Sequence, residues 1–290
     1  MCQLIVHGGA GKFRNPLPYR EGMEESLRRG YSVLEKEGAL EGVIAAVLSL
    51  EENPLFNCGT GSALNLDGEV EMDASVMTSE ERFGAVGSLK RVEHPILIAR
   101  RVMEETDHLL IVGDGAERLA RYWGYPLYEP AIESRRNELE DVKRKGSAFL
   151  PNLHSFLGGE TKGTVGAVAR DRMGRIAVAT STGGYAAKLP GRIGDSAILG
   201  AGTYASRWGG ASATGHGEQI WRQLLCFKAV EGMRLHPAEL VIPRLVREAK
   251  EQGCSCGLIG IDWRGCLAQA FNTEAMLWGT MESGQLTLYA

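Results

Sequence analysis

Thr164 opens the apolar run Thr164-Val165-Gly166-Ala167-Val168-Ala169 and follows the stretch Gly158-Gly159-Glu160-Thr161-Lys162-Gly163. A threonine that begins a strand after a loose linker can become a new N-terminus. If the Gly163–Thr164 bond is cut, one residue carries both a hydroxyl nucleophile and an α-amine. A free α-amine has a pKa of about 7.7–8.0, so it accepts a proton near neutral pH without a partner histidine. Taken alone, threonine at a strand start is ordinary. Three glycine-bounded clusters follow it in order: Ser181-Thr182-Gly183-Gly184, Gly191-Arg192-Ile193-Gly194-Asp195 and Thr214-Gly215-His216-Gly217-Glu218.

Amide hydrolysis needs a nucleophile, a proton acceptor, a donor for the leaving nitrogen and a cradle for the tetrahedral oxyanion. Thr164 supplies the first three through its hydroxyl and α-amine. Thr182 ends the strand expected to pair with that of Thr164, where its hydroxyl could orient the nucleophile. By spacing alone a Ser/Thr-rich turn is the plainer reading. Arg192 and Asp195 stand three apart in a tight loop. An arginine fork takes a carboxylate and an aspartate takes an ammonium, the two α-groups of an amino acid. A surface salt bridge between them is the alternative. The Thr214 hydroxyl and the Gly215 N–H precede a helix that starts near Gly217, a place for an oxyanion hole or for an ordinary N-cap. His216 beside that cap reads as structural.

Two glycine clusters are decoys. His7-Gly8-Gly9 lacks the Lys-Ser/Thr of a phosphate loop. Gly113-Asp114-Gly115 lacks the third glycine of a dinucleotide turn.

These pieces need a frame. Strands are expected at 3–6, 83–89, 109–112, 164–170, 175–181, 197–201, 210–214 and 286–289, with hairpins over 62–78 and 256–271. Helices are expected at 21–37, 39–52, 94–104, 115–123, 217–232 and 237–251. Strands and helices fall into separate runs, which gives an α+β fold. With 290 residues and no linker between self-contained patterns, one domain is expected. The stretch 133–163 is charged at first and Gly/Ser-rich later. Its first part suits an exposed helix and its second a mobile loop.

The formal net charge of −4 argues against nucleic-acid binding. No apolar run reaches the ~18 residues of a membrane span, and no basic leader precedes the first strand, so a cytoplasmic protein is expected. The six cysteines read as free, packed thiols.

The ordered motifs resemble those of the plant-type L-asparaginase/isoaspartyl peptidase family of N-terminal-nucleophile hydrolases. The likeness runs from His7-Gly8-Gly9-Ala10-Gly11 through Asn53-Pro54-Leu55-Phe56-Asn57 and Glu71-Met72-Asp73-Ala74-Ser75 to Phe271-Asn272-Thr273-Glu274. Thr180-Ser181-Thr182-Gly183-Gly184 followed by Lys188-Leu189-Pro190-Gly191-Arg192 is its most specific part. The resemblance implies a four-layer αββα sandwich with mainly antiparallel sheets. It implies autocleavage into 1–163 and 164–290 with 133–163 a mobile linker, and an (αβ)₂ homodimer. It implies hydrolysis of L-asparagine and isoaspartyl dipeptides through a covalent β-aspartyl intermediate. Thr164, Thr182, Thr214 and Gly215 would be catalytic, and Arg192, Asp195, Asn57 and Gly217 would bind substrate. For Asn57, an Asx turn is the alternative.

In relatives the loop after the second helix binds sodium through backbone carbonyls, which fall here on Leu50, Glu51, Asn53, Phe56, Cys58 and Thr60. No catalytic cofactor is implied. Lys162-Gly163 before the nucleophile and Thr78-Ser79-Glu80 after Met77 depart from the family pattern. A glycosylasparaginase and an uncleaved amino-acid-binding protein are the rival readings.

Overall fold

In the structure, a computed structural model, residues 1–13, 15, 17–145 and 163–289 are described. The fold is α+β with two sheets. Strands β1 (Gln3–Gly11), β2 (Met72–Thr78), β3 (Phe83–Leu89), β4 (Leu110–Val112), β5 (Val165–Arg170), β6 (Ile176–Thr182), β11 (Ala275–Glu282) and β12 (Gln285–Tyr289) form the larger sheet. Its order is β12-β11-β1-β5-β6-β2-β3-β4. Every pairing in it is antiparallel except β3 with β4. The smaller sheet, β10-β9-β8-β7, is antiparallel throughout and is built from β7 (Thr203–Ser206), β8 (Gly209–Gly215), β9 (Cys256–Asp262) and β10 (Leu267–Phe271).

Alternate residues of the central strands feed different cores. Leu4, Val6, Val165, Ala167, Ala177 and Ala179 join Leu27, Val43 and Val47 of helices α1 (Leu17–Glu37) and α2 (Ala39–Glu52). Ile5, Val168, Ile176 and Val178 point the other way and meet Ala205, Ile259 and Ile261 of the smaller sheet. A strand covered on both faces is apolar at every position, which is why residues 164–169 read as one continuous run. Helices α7 (Leu225–Met233) and α8 (Ala238–Glu251) cover the outer face of the smaller sheet through Val230, Met233 and Ile242.

Three local expectations give way, and one strand was not expected. Residues 197–201 are not a strand: Gly202 N–H bonds Asp195 C=O at 2.9 Å and Ala201 N–H bonds Ile198 C=O at 3.0 Å, closing a tight turn that starts with a 3₁₀ helix, Asp195–Ala197. The expected helix over 217–232 is two helices, α6 (Gly217–Gln223) and α7, broken where Leu224 takes φ 50°. The expected hairpin over 62–78 shrinks to a single bridge, Leu64 with Val70, because β2 pairs with β3 and β6 instead. β11 was not anticipated; it enters the hairpin with β12 through Ser283 (φ 49°) and Gly284 (φ 77°), both left-handed, as a twisted two-residue turn requires.

The stretch expected to be a mobile linker divides. Residues 133–145 form helix α5, pinned by Arg135, whose Nε bonds the Gly61 carbonyl at 2.6 Å, and by buried Leu139. Residues 146–162 lie outside the described residues. All six cysteines are free thiols.

Candidate active site

The geometry starts where β1, β5 and β6 run side by side. His7 pairs with Gly166, and Val165 pairs with Ser181. Thr164 lies one rung before Val165, at the level of Thr182, and both side chains are buried. A bulge between His7 and Gly9 turns β1 toward Gly163. A Cβ at Gly9, which holds φ +113°, would stand 2.7 Å from the Gly163 Cα. A Cβ at Gly163 would stand 2.6 Å from the Ala10 nitrogen and 2.7 Å from Thr214 Oγ1. No side chain fits at either position, so glycine is what lets the backbone before Thr164 approach β1 and Thr214 together.

Thr214 ends β8. Its Oγ1 accepts the Ala10 N–H at 3.2 Å, which leaves its own proton to donate. Gly215 holds φ +131°, and a Cβ there would lie 2.4 Å from the Ser255 carbonyl. The turn therefore demands glycine, and the chain enters α6 two residues later.

Thr182 is fixed from the other side. Its Oγ1 accepts the Gly184 N–H at 2.9 Å. Asn57 clamps the same turn: its Nδ2 donates to the Gly184 carbonyl at 2.5 Å, its Oδ1 accepts the Ala63 N–H at 2.8 Å, and its carbonyl accepts the Gly183 N–H at 2.9 Å. Asn57, expected to meet substrate, thus holds the turn that carries Thr182.

Gly184 also joins this neutral corner to a charged one, since a Cβ there would lie 3.4 Å from Arg192 Nη1. The Arg192 guanidinium lies 4.6 Å over the Tyr185 ring and donates from Nε to Glu218 Oε1 at 2.9 Å. Tyr185 OH lies 3.5 Å from the same carboxylate oxygen. With Nε spent on Glu218, the outer fork of Arg192 is left for a ligand. A Cβ at Gly217 would stand 2.7 Å from Arg192 Nη2 and 2.8 Å from Asp195 Oδ1, so the missing side chain opens the ground between the two charges. Asp195 is only 4% exposed, and its Oδ2 has no hydrogen-bond partner among the described residues. Burial raises its carboxyl from 3.8 to about 7, against the pull of Arg192. A buried carboxylate oxygen without a donor is costly. An incoming ammonium removes that cost.

The family model for asparaginases matches residues 1–290. This chain belongs to the asparaginase family. It is 40% identical over 300 residues to a plant-type L-asparaginase of Pyrococcus abyssi, covering 98% of this chain and 97% of that one. It is 41% identical over 299 residues to the Pyrococcus furiosus plant-type L-asparaginase, with the same coverage. An isoaspartyl peptidase of Salmonella typhimurium is 40% identical over 296 residues, covering 95% and 94%.

Three side chains around this asparaginase-family site were given no role of their own by the sequence. His7 Nε2 meets Ser212 Oγ at 2.9 Å directly behind Gly166, where a Cβ would collide with both. Burial lowers its pKa to about 3, with the Thr164 backbone opposing, so it is neutral at working pH. Glu51, fully buried, accepts from Ser181 Oγ at 2.6 Å and from the Ile96 N–H at 3.1 Å, tying the strand that ends in Thr182 to the start of helix α3 (Pro95–Glu105). Glu218 holds Arg192. Ser212 lies 205 positions from His7, and Ser181 and Ile96 lie 130 and 45 positions from Glu51, so only the fold brings them together. For Glu218 the one available cue was its place after Gly217 in the third cluster.

Among the described residues no cluster of three His, Cys, Asp or Glu side chains suits a metal. The loop after α2 offers carbonyls instead. Leu50, Glu51 and Asn53 carbonyls accept the N–H groups of Asn53, Thr60 and Phe56 at 3.3, 2.8 and 3.1 Å. Gly59 and Gly61, at φ 48° and 108°, curl the loop so tightly that a Cβ at Gly61 would lie 2.8 Å from the Phe56 carbonyl. A carbonyl has a second lone pair, so this donor set fits a hard cation of low charge.

Proposed function

We propose that this chain is an autoproteolytic hydrolase of β-aspartyl amides, acting on L-asparagine and on isoaspartyl dipeptides. The observation that carries the reading is the seat of Gly163, pressed between Gly9–Ala10 and the Thr214 hydroxyl with Thr164 next in the chain. A backbone so placed suits a scissile peptide whose oxyanion has donors within reach.

In the precursor, the Thr164 hydroxyl attacks the Gly163 carbonyl carbon. The C–N bond breaks, the acyl group moves from nitrogen to oxygen, and water hydrolyses the ester. This releases residues 1–163 with a new carboxylate at Gly163 and residues 164–290 with a free α-amine at Thr164. In the mature enzyme that amine takes the hydroxyl proton as Thr164 Oγ attacks the side-chain carbonyl of the substrate. The Thr182 hydroxyl orients the nucleophile. The Thr214 hydroxyl and the Gly215 N–H receive the oxyanion. The proton passes to the departing ammonia or amine, and water then cleaves the β-aspartyl ester to give aspartate. Arg192 holds the substrate's α-carboxylate, and Asp195 holds its α-ammonium across the ground that Gly217 keeps clear.

The face-to-face sheets, flanked by helices, support the four-layer αββα arrangement of N-terminal-nucleophile hydrolases. The (αβ)₂ dimer belongs to the same reading. Sodium, where bound, would sit on carbonyls of Leu50, Glu51, Asn53, Phe56, Cys58 and Thr60 and brace the loop that carries Asn57. The test is hydrolysis itself: purified protein is incubated with L-asparagine and with β-aspartyl-leucine, and released aspartate is measured. Aspartate from either supports the proposal; none from both, in protein that has been cut after Gly163, defeats the substrate assignment.

A further inference from the structure

We propose that Glu71 and Asp73 are positioning residues that set the site's affinity for the substrate's α-groups without taking part in the chemistry at Thr164. The inference rests on reading Arg192 and Asp195 as the α-group anchor.

β2 is irregular at this point. Against β3, Met72 pairs with Leu89 and Ala74 with Val86, so Asp73 sits at a bulge. On its other edge Asp73 still pairs with Thr182. At the bulge Ser88 takes φ 48°, and Asp73 Oδ1 accepts its N–H at 2.9 Å. Asp73 Oδ2 reaches outward and accepts the Gly194 N–H at 2.8 Å. Bulges near sites re-aim side chains in this way.

Glu71 completes the frame. Its two carboxylate oxygens accept the Gly191 N–H at 3.1 and 3.0 Å. They also accept from Ser88 Oγ at 2.7 Å and Asn65 Nδ2 at 3.1 Å. Its backbone carbonyl accepts from the fully buried Lys188 Nζ at 2.6 Å. Burial alone would raise the Glu71 carboxyl, but bonds from Asn65, Ser88 and Gly191 outweigh it and the net shift is downward, so the group stays anionic. The Ile193 side chain packs on Gly87, where a Cβ would lie 2.7 Å from Ile193 Cδ1.

The loop is thus held at both ends by charge-assisted bonds. Gly191 and Gly194 bracket Arg192, and Asp195 follows directly. Fixing these two N–H groups fixes where the guanidinium and the carboxylate begin, so the anchor is ordered before the ligand arrives. Among the described residues neither carboxylate bonds to Gly163, Thr164 or Thr214. Cutting of the precursor is therefore expected not to depend on these two side chains.

Asp73→Asn and Glu71→Gln keep shape, remove the charge and turn one of the two accepting oxygens into a donor. In the full chain, three quantities separate the roles: completeness of the cut after Gly163 by intact mass, the Kd of L-aspartate by calorimetry, and kcat with KM for L-asparagine. The expected result is a normal cut, Kd and KM raised about tenfold in Asp73→Asn and less in Glu71→Gln, and kcat within about threefold. The inference is overturned if Kd and KM stay at wild-type values in both variants, or if cutting and kcat fall while Kd holds. If Asp73→Asn does not fold, Glu71→Gln decides by the same criteria. A wild type that neither cuts nor binds L-aspartate overturns this inference together with the reading beneath it. A wild type that does both, matched by its variants, overturns this inference alone.

Discussion

Around Gly163 and Thr164 the groups that meet are neutral: Gly9, Ala10, the hydroxyls of Thr182 and Thr214, and a histidine that burial keeps uncharged. Around Arg192 they are charged: Glu218, Asp195 and, one bond further out, Glu71 and Asp73. The difference follows from when charge appears. At the nucleophile it develops only during reaction, so the site offers close backbone approach and hydroxyl donors that cost little to bury. At the proposed anchor the ligand arrives already charged, so ionisable groups wait for it, and among the described residues Asp195 Oδ2 has no hydrogen-bond partner. Catalysis and affinity are therefore separable by mutation, and four changes test that separation.

The largest expected effect is on the neutral side. Thr214→Val removes the hydroxyl facing Gly163 and is expected to lower kcat by about 10²–10³-fold, with Thr214→Ser restoring most of it. Steady-state assays with L-asparagine check this, and a KM effect without a kcat effect contradicts it. On the charged side, Asp195→Asn is expected to weaken L-aspartate binding by about 10²-fold while leaving the cut after Gly163 intact. Calorimetry beside intact mass reads both.

The third change is pH. Asp195 must be ionised to hold an ammonium, and in the empty site its carboxyl titrates near 7 instead of 3.8. Below pH 7 binding has to expel a proton, so L-aspartate affinity is expected to fall by about tenfold per unit from pH 7 to 5 and to level off above pH 8. For stability of the empty chain the sign is opposite. The folded state holds a proton that the unfolded state has lost between about 4 and 7, so stability declines as pH rises through that window. Asp195→Asn abolishes both slopes; a slope that survives the substitution means another group is titrating. The smallest effect belongs to Glu218→Gln, which keeps a hydrogen bond to Arg192 Nε but loses the charge. A KM rise of about threefold to tenfold is expected, with kcat unchanged.

The legible part of this molecule was local. Thr164 heading an apolar run, the Arg192–Asp195 loop and the Thr214–Gly215 turn are short segments whose residue types state their chemistry. The structure brings Thr214 to Gly163, Thr182 to Gly184, and Gly217 between Arg192 and Asp195. What stayed hidden depends on long-range placement. His7 meets a serine 205 positions away, and Glu51 a serine 130 positions away. Asn57 was visible as a polar loop residue, but its bonds to Gly184 and Ala63 required the fold. The apolar stretch 197–201 misled because the contacts of Gly202 with Asp195, not periodicity, decide its turn. β11 escaped because its residues, Ala275 to Glu282, mix Gly, Thr and Met with few β-branched side chains.

One threonine is proposed to become both attacker and proton carrier when its backbone nitrogen is freed. Intact-mass spectrometry of wild type beside Thr164→Ala, each left at neutral pH until no further change occurs, tests it most directly. The expected outcome is two wild-type fragments that divide between Gly163 and Thr164, and one Thr164→Ala species near 31.4 kDa without asparaginase activity. A wild type that hydrolyses L-asparagine while still a single 31.4 kDa chain contradicts it.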